Sequence, residues 1–545
     1  MKNICYLLLI LPLLTQAQLF KEEQQFTRQD TLRGSITPER EWWDLNYYHL
    51  DIEVLPEEKM ITGSNLIAFT ALKPGRVLQV DLQEPMKIDR VEQEGKALKV
   101  ESEGNAHFIH LEKVADSGSI QEIRVFYSGH PKEAVRAPWD GGLSWKEDRN
   151  DEDFIATSCQ GLGASVWWPN KDHMYDEADS MKISVTVPER LVDVSNGRLL
   201  GIDHDKINKK RTFHWGVTNP INNYGVNINI GDYVGFGEVY QGEKGPLDMN
   251  YYVLSYNLEK AREHFKQAAQ TMEAFEHWFG PYPFYEDGYK LVEVPYLGME
   301  HQSSVTYGNG YQNGYRGTDL SGSGWGLKFD FIIVHESGHE WFANNITNID
   351  IADMWIHESF TAYSESLFVE YFHGKEAGAD YVTGTRKNIL NDKPIIGVYH
   401  VNHEGSGDMY YKGANMLHTL RQLVEDDQQW RNILRGLNKD FYHQTVSSAQ
   451  VEAYLSEKTG KDLSAFFNQY LRDTRIPVFE YELQGNTLRY RYTDIVNGFD
   501  MPLEVTLNGH TDWIFPTATW KEMPLTEKVA SFTVDRDYLV VSKQL

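Results

Sequence analysis

One stretch constrains this chain more than any other: FIIVHESGHEWFANNITNIDIADMWIHESFTAYSE, from Phe331 to Glu365. It carries H-E-x-x-H at His335, Glu336 and His339, and a further acid, Glu358, after an interval of eighteen residues. In a helix, positions i and i+4 share a face, so the two imidazoles can converge on one ion. The interval leaves room for the end of one helix, a reversal and the start of a second that brings Glu358 as third ligand. Two histidines and a carboxylate form a zinc set with its fourth position open to water, and Glu336 is then placed to act as general base on that water. This spacing predicts two packed helices around one Zn2+ per chain.

The surrounding chain is too long for a single core. At 545 residues it calls for about two to four domains. Its formal charge of −27 argues against nucleic acid and against an anionic membrane surface as partners, and is compatible with cationic ligands such as free amino termini. The first residues, MKNICYLLLILPLLTQAQ, read as a signal peptide. Lys2 is the charged start, Ile4 to Leu14 the apolar run, and Thr15-Gln16-Ala17 the small-residue cleavage site. The expected product is secreted or periplasmic. The run is too short for a membrane span, and no other segment is long enough. Cys5 leaves with the peptide, so Cys159 alone remains and no internal disulfide can form.

From about Ser35 to Tyr240 the pattern is β, without a helix of normal length. YYHLDIEV (Tyr47 to Val54) alternates apolar and polar residues. VLQVDL (Val77 to Leu82) and MKISVTV (Met181 to Val187) are short apolar runs, and turn signals such as Lys73-Pro74-Gly75 and Ser195-Asn196-Gly197 lie between such segments. Helical spacing begins at Leu258 and runs to Gly280, followed by Pro281. YKLVEVPY (Tyr289 to Tyr296) reads as a strand, with Pro295 suited to a sheet edge. The Gly-rich segment from Tyr307 to Gly326 reads as a long surface loop rather than a lid. The second metal helix is expected from Met354 to His373, with Asp353 as N-cap, Gly374 beyond its end, and an apolar stripe of Phe360, Tyr363, Leu367 and Tyr371. Another helix spans Met409 to Glu425, with Met416, Leu417, Leu420 and Val424 inward, and helical patterns continue to Leu471. From Ile476 strands return, opening with a hairpin at Gly485-Asn486.

With the metal motif and WIHESFTAYSE around Glu358, the chain resembles the gluzincin zinc aminopeptidases, the family of aminopeptidase N and leukotriene A hydrolase. Three further stretches match in order. PYLGMEHQS resembles the G-x-M-E-N exopeptidase motif, with His301 in place of Asn and Leu297 in place of the leading Gly. The resemblance makes Glu300 the anchor for a substrate's α-ammonium, since a buried ammonium needs a carboxylate partner, and puts Gly298 and Met299 beside the substrate. MYYKGANMLHTLR resembles the family's Y-x-K-G motif, which makes Tyr410 the donor to the transition-state oxyanion. Without that resemblance, Tyr410 and Tyr411 are two aromatics at a helix start, suited to packing. TSCQGLGASVWWPN resembles the N-terminal segment that reaches the active site, with Gln160 helping to hold the amino end. Glu365, seven residues after Glu358, can accept a hydrogen bond from a metal-ligand histidine.

The resemblance implies a multidomain α+β protein. Residues 18–250 form an antiparallel β saddle or sandwich after the signal at 1–17, residues 251–474 a thermolysin-like, mostly helical zinc domain, and residues 475–545 a small C-terminal β-sandwich. The implied activity is hydrolysis of the N-terminal bond of peptides with a free amine. The alternatives are a thermolysin-type endopeptidase, against which Glu300 argues, and a silent zinc- or peptide-binding protein, against which the full set of base, ligands and Tyr410 argues.

Overall fold

The computed structural model describes residues 25–525 and 529–545; the expected signal peptide lies outside them. The N-terminal part begins with two short helices, α1 (Arg28–Gly34) and α2 (Pro38–Glu41), and is otherwise built on strands. Its long alternating segments, Trp43–Leu55 and Met60–Ala71, pair antiparallel at the centre of an eight-stranded sheet. Trp43–Leu55 also pairs in parallel with Ser180–Pro188. Smaller sheets complete the layer opposite: Gly75–Asp81 with Ala106–Ala115 and Lys99–Glu103, and Asp153–Ser158 between Gly142–Glu147 and Ile228–Gly231. Trp43, Leu50, Ile67, Phe69, Trp167, Trp168 and Trp215 fill the space between them, all buried.

The hairpin Tyr233–Gly242/Gly245–Leu254 continues from this layer but belongs to the next sheet. It pairs in parallel with Tyr289–Glu293, which pairs with Val305–Tyr307, and Gly298–Met299 closes the row. The division at 250/251 therefore falls inside a strand. Two expectations change here. Tyr289–Glu293 is an inner strand, and Pro295 lies beyond its end; the edge is Gly298–Met299 itself. The helical run after Leu258 is two helices, α3 (Leu258–His264) and α4 (Lys266–Phe279). They part at Phe265, whose ring packs among Tyr251, Tyr307 and Tyr311.

Below this sheet lie the helices that carry the motif. α5 (Phe331–Gly338) starts at Asp330, whose carboxylate accepts from the amides of Ile332 at 2.9 Å and Ile333 at 3.2 Å, satisfying two otherwise orphaned donors. α6 (Trp355–His373) ends at Gly374, which takes φ +94°. Its stripe is not one-sided: every residue from Trp355 to Val369 is buried, so α6 is the central helix of the domain. Asp353 does not cap it. Met354 holds that position without a side-chain bond, and the Asp353 carboxylate accepts instead from Ser448 N (2.9 Å), Ser448 Oγ (2.6 Å) and Tyr399 Oη (2.6 Å). Three tertiary donors replace one local one.

α7 (Lys375–Gly384) follows, and α8 (Asp408–Val424) packs on α6 through Met416, Leu417 and Leu420. α9 (Asp427–Asp440), α10 (Ser448–Thr459) and α11 (Ser464–Leu471) complete the domain. The hairpin Val478–Gln484/Thr487–Thr493 opens the C-terminal part as expected, with Gly485 at φ +59° in its turn. That part is two small sheets sharing one apolar core with the helical domain, and Leu539 N bonds Thr419 Oγ1 of α8 at 2.8 Å. Among the described residues, no helix is long and apolar enough to cross a membrane.

Candidate metal and substrate site

α5 delivers His335 from its last turn and His339 from the residue that ends it. The helix then breaks: Phe342 leaves helical geometry, and its carbonyl turns back to accept from His339 Nδ1 at 3.0 Å. Thr361 Oγ1 also approaches that nitrogen, at 3.1 Å. His335 Nδ1 donates to Glu365 Oε1 at 2.7 Å, and Glu365 Oε2 accepts from Tyr381 Oη at 2.6 Å. Each ring thus has Nδ1 committed and Nε2 free to face the site, the arrangement by which outer partners fix a ligand's tautomer. The sequence signal for Glu365, a carboxylate two helical turns from Glu358, proves sound.

His335 Nε2 lies 3.7 Å and His339 Nε2 3.4 Å from Glu358 Oε2. Three ligands at zinc's bond lengths in a tetrahedral site stand about 3.3 Å apart, close to these separations. Glu358 Oε2 is buried and has no hydrogen-bond donor. A buried carboxylate oxygen so placed, facing two imidazole nitrogens, suits a cation, and the residues fit zinc. Burial alone would raise the Glu358 carboxyl, but the facing imidazoles, His339 first, hold it well below the usual carboxylate range.

The other predicted residues converge on the same point. Glu300, Glu336 and His339 offer donor atoms within 4.8 Å of one another. Burial pushes the Glu336 carboxyl up to about 7; Glu300 and Glu358 add to that rise and the imidazoles oppose it. Burial likewise raises Glu300. Gln160, on a turn just after strand Asp153–Ser158, reaches across from the β domain. Its Nε2 donates to Glu300 Oε1 at 2.7 Å and to Glu358 Oε1 at 2.9 Å. That turn is held by Asn402 Nδ2, which donates to Gly161 O at 3.0 Å. Gly298 lies against Glu336: a Cβ there would come within 2.6 Å of Ile332 Cγ2 and 2.9 Å of Glu336 Oε1, so the position requires glycine. Met299 is buried on the strand edge, and both line the cleft.

Tyr410 stands at the start of α8, its ring stacked at 6.0 Å on His335. Two contacts set it there. Ser359 Oγ donates to Met409 O at 2.7 Å, and Gly413 lets α8 approach α6 so closely that a Cβ would overlap Ser359 Oγ. Burial raises the Tyr410 phenol, with Glu358 the next cause. Tyr411 lines the same cleft on the side of Glu365 and Tyr315, so the geometry separates the two tyrosines that composition could not. His301 is buried and pushed down to about 3 by desolvation, hence neutral. His357 accepts from Asn348 N and takes no part in the metal set.

Several contributors carried no sequence signal. Asn344 Nδ2 holds the Glu300 carbonyl at 2.9 Å. Tyr224 brings a buried phenol, without a hydrogen-bond partner, to the Glu300 side. Phe331 stacks on His335 at 5.1 Å. Asn344 and Tyr224 depend on chain segments brought together only by the fold, whereas Phe331 lies one helical turn before His335 on α5. The cleft over the site measures about 930 Å³ and is walled by both domains.

Residues 263–470 match the peptidase family M1 domain. Among curated proteins, the chain is 23% identical over 453 residues to "Probable aminopeptidase 1" of Sulfurisphaera tokodaii, covering 78% of this chain and 54% of that one. It is 27% identical over 205 residues to "Aminopeptidase N" of Lactococcus lactis, covering 33% and 24%. The chain spans about half the length of the first curated relatives it matches. In three dimensions it is similar to the M1 zinc metallopeptidase from Deinococcus radiodurans, with TM-score 0.67 and 19% identity, over 81% of this chain and 97% of that one. The likeness is one of fold.

Proposed function

From a catalytic region that belongs to peptidase family M1, we propose that this protein is a zinc aminopeptidase, removing single residues from the free amino end of peptides. One observation carries the exopeptidase half of this reading. Gln160 Nε2 bridges Glu300 and Glu358, so a buried carboxylate suited to an ammonium sits one side chain from the metal set. An endopeptidase has no need of a buried carboxylate at that point. The Deinococcus fold relative has been seen, as a mutant, bound to a Tyr-Ser-Ala substrate, which supports short peptides as ligands.

His335, His339 and Glu358 would hold one zinc per chain, which when bound supplies a Lewis acid for the scissile carbonyl and the attacking water. Glu300 and Gln160 bind the substrate α-ammonium, and the edge Gly298–Met299 pairs with the extended backbone. Glu336 takes a proton from the attacking water and returns it to the leaving nitrogen. Tyr410 donates to the oxyanion as the carbonyl becomes tetrahedral.

The test is Glu336→Gln. It retains one zinc by metal analysis and loses turnover of an amino-acid anilide by a factor on the order of 10²–10⁴; activity near that of the wild type removes Glu336 as base. The reading also assigns residues 1–17 to export, so the mature protein's N-terminal sequence begins at Gln18.

A further inference from the structure

A Gly-rich segment, Tyr307 to Gly326, lies between the Gly298–Met299 edge and α5. It is a fixed wall. Asn309 Nδ2 donates to Gln312 O (2.7 Å), Gly314 O (2.8 Å) and Asp330 Oδ1 (3.0 Å), and Asn309 Oδ1 accepts from Arg316 N (2.8 Å). The Asp319 carboxylate accepts from the amides of Ser321 (2.9 Å) and Gly324 (2.6 Å). Asp330, which caps α5, also accepts from Tyr307 Oη at 2.8 Å. One buried aspartate therefore sets both the metal helix and the loop beside it.

This wall turns Tyr315 and Leu320 into the cleft. Tyr315 meets Phe331 edge-on at 5.4 Å, and Phe331 stacks on His335. Tyr315 and Tyr411 are half-buried, with ring surface left toward the cleft. The direction of a bound peptide follows from the chemistry already placed. Its ammonium lies at Glu300 and Gln160, and its leaving nitrogen lies within reach of Glu336. Glu336 packs on Gly298 and Ile332, so a chain running past it meets Ile332, Phe331 and Tyr315. Of the other charged groups lining the cleft, Asp140, Lys393 and Glu404, Glu404 lies on the side of the third metal ligand, where Glu358 and Lys393 act on it.

We propose that Tyr315, Leu320, Phe331 and Tyr411 form the subsite for the side chain of the substrate's second residue, and that it takes a large apolar side chain, aromatic above all. This rests on the aminopeptidase reading. Rings offered edge and face to a desolvated side chain favour an aromatic guest, and the preset loop avoids the ordering cost of a mobile one.

The experiment compares kcat/KM for alanyl-phenylalanine amide, alanyl-glycine amide and alanyl-glutamate amide on the zinc-loaded full chain. Wild type prefers the phenylalanine substrate over the other two by about tenfold or more. Tyr315→Ala brings that ratio to within about threefold of unity at unchanged zinc content, whereas Tyr315→Phe keeps it. A ratio near one in the wild type, or an unchanged ratio in Tyr315→Ala, overturns the subsite while leaving the aminopeptidase reading intact. No hydrolysis of any of the three overturns both.

Discussion

On the proposed reading Glu365 acts on the metal only through His335, and its geometry makes metal affinity the quantity to measure. Its Oε1 accepts from His335 Nδ1 at 2.7 Å and its Oε2 from Tyr381 Oη at 2.6 Å, all three side chains being buried. Glu365→Gln can keep both bonds, with the amide oxygen accepting from His335 and the amide nitrogen donating to Tyr381. Only the charge is lost, so the imidazole becomes a poorer donor to the metal, and zinc affinity falls about tenfold, or about 1.4 kcal/mol. Glu365→Ala also frees the His335 ring to turn and leaves two buried donors unpaired, at about 1–3 kcal/mol each in stability. Zinc affinity then falls about a hundredfold. Equilibrium competition against a chromophoric chelator reads the affinities, and urea unfolding of the metal-free proteins reads the stability cost separately. Zinc bound as tightly by Glu365→Ala as by the wild type would refute the claim that this carboxylate orients His335.

Three further outcomes are expected. Tyr410→Phe lowers kcat by a factor on the order of 10²–10³ with little change in KM, because the phenol acts only as the oxyanion forms; a kcat within a few-fold of wild type contradicts its role. Removing zinc with a chelator lowers the melting temperature, and zinc at about a thousand times its Kd restores on the order of 4 kcal/mol; identical melting with and without metal contradicts the site. Asp193 is buried, its carboxyl raised by desolvation, and one of its oxygens lacks a partner. The folded state then keeps a proton that the unfolded state loses above about 3.9, so stability falls as pH rises from there toward the folded value. Asp193→Asn removes that dependence, and its stability relative to wild type improves from pH 4 to pH 8 in urea unfolding; an equal difference at both pH values sinks the assignment.

The candidate metal site was legible as a cluster because its residues are local in sequence. A four-residue spacing on one helix and a carboxylate on the next determine where three ligand atoms go, once both segments bury an apolar face. The β-to-helical-to-β order was legible for the same reason, since period 2 and period 3.6 are properties of short windows. What escaped is what the fold assembles from distant segments. The hairpin Tyr233–Leu254 has the same alternation whichever sheet it joins. Asp353 has the composition of a cap but finds better donors in Ser448 and Tyr399. The loop from Tyr307 to Gly326 has the composition of a slack surface segment, and only the Asn309–Asp330 bond shows it to be a wall. Tyr410 and Tyr411 are alike in sequence and are told apart by the close approach of α8 to α6 at Gly413.

The central claim is that a buried carboxylate at Glu300 makes the proposed zinc hydrolase read a free amino terminus. The most direct measurement offers one tripeptide, such as Ala-Phe-Ala, with a free and with an acetylated amine to the zinc-loaded protein and follows the products by mass. The account predicts release of free alanine from the first and no cleavage of the second. Cleavage of both at similar rates, or at an internal bond of the acetylated peptide, would contradict it.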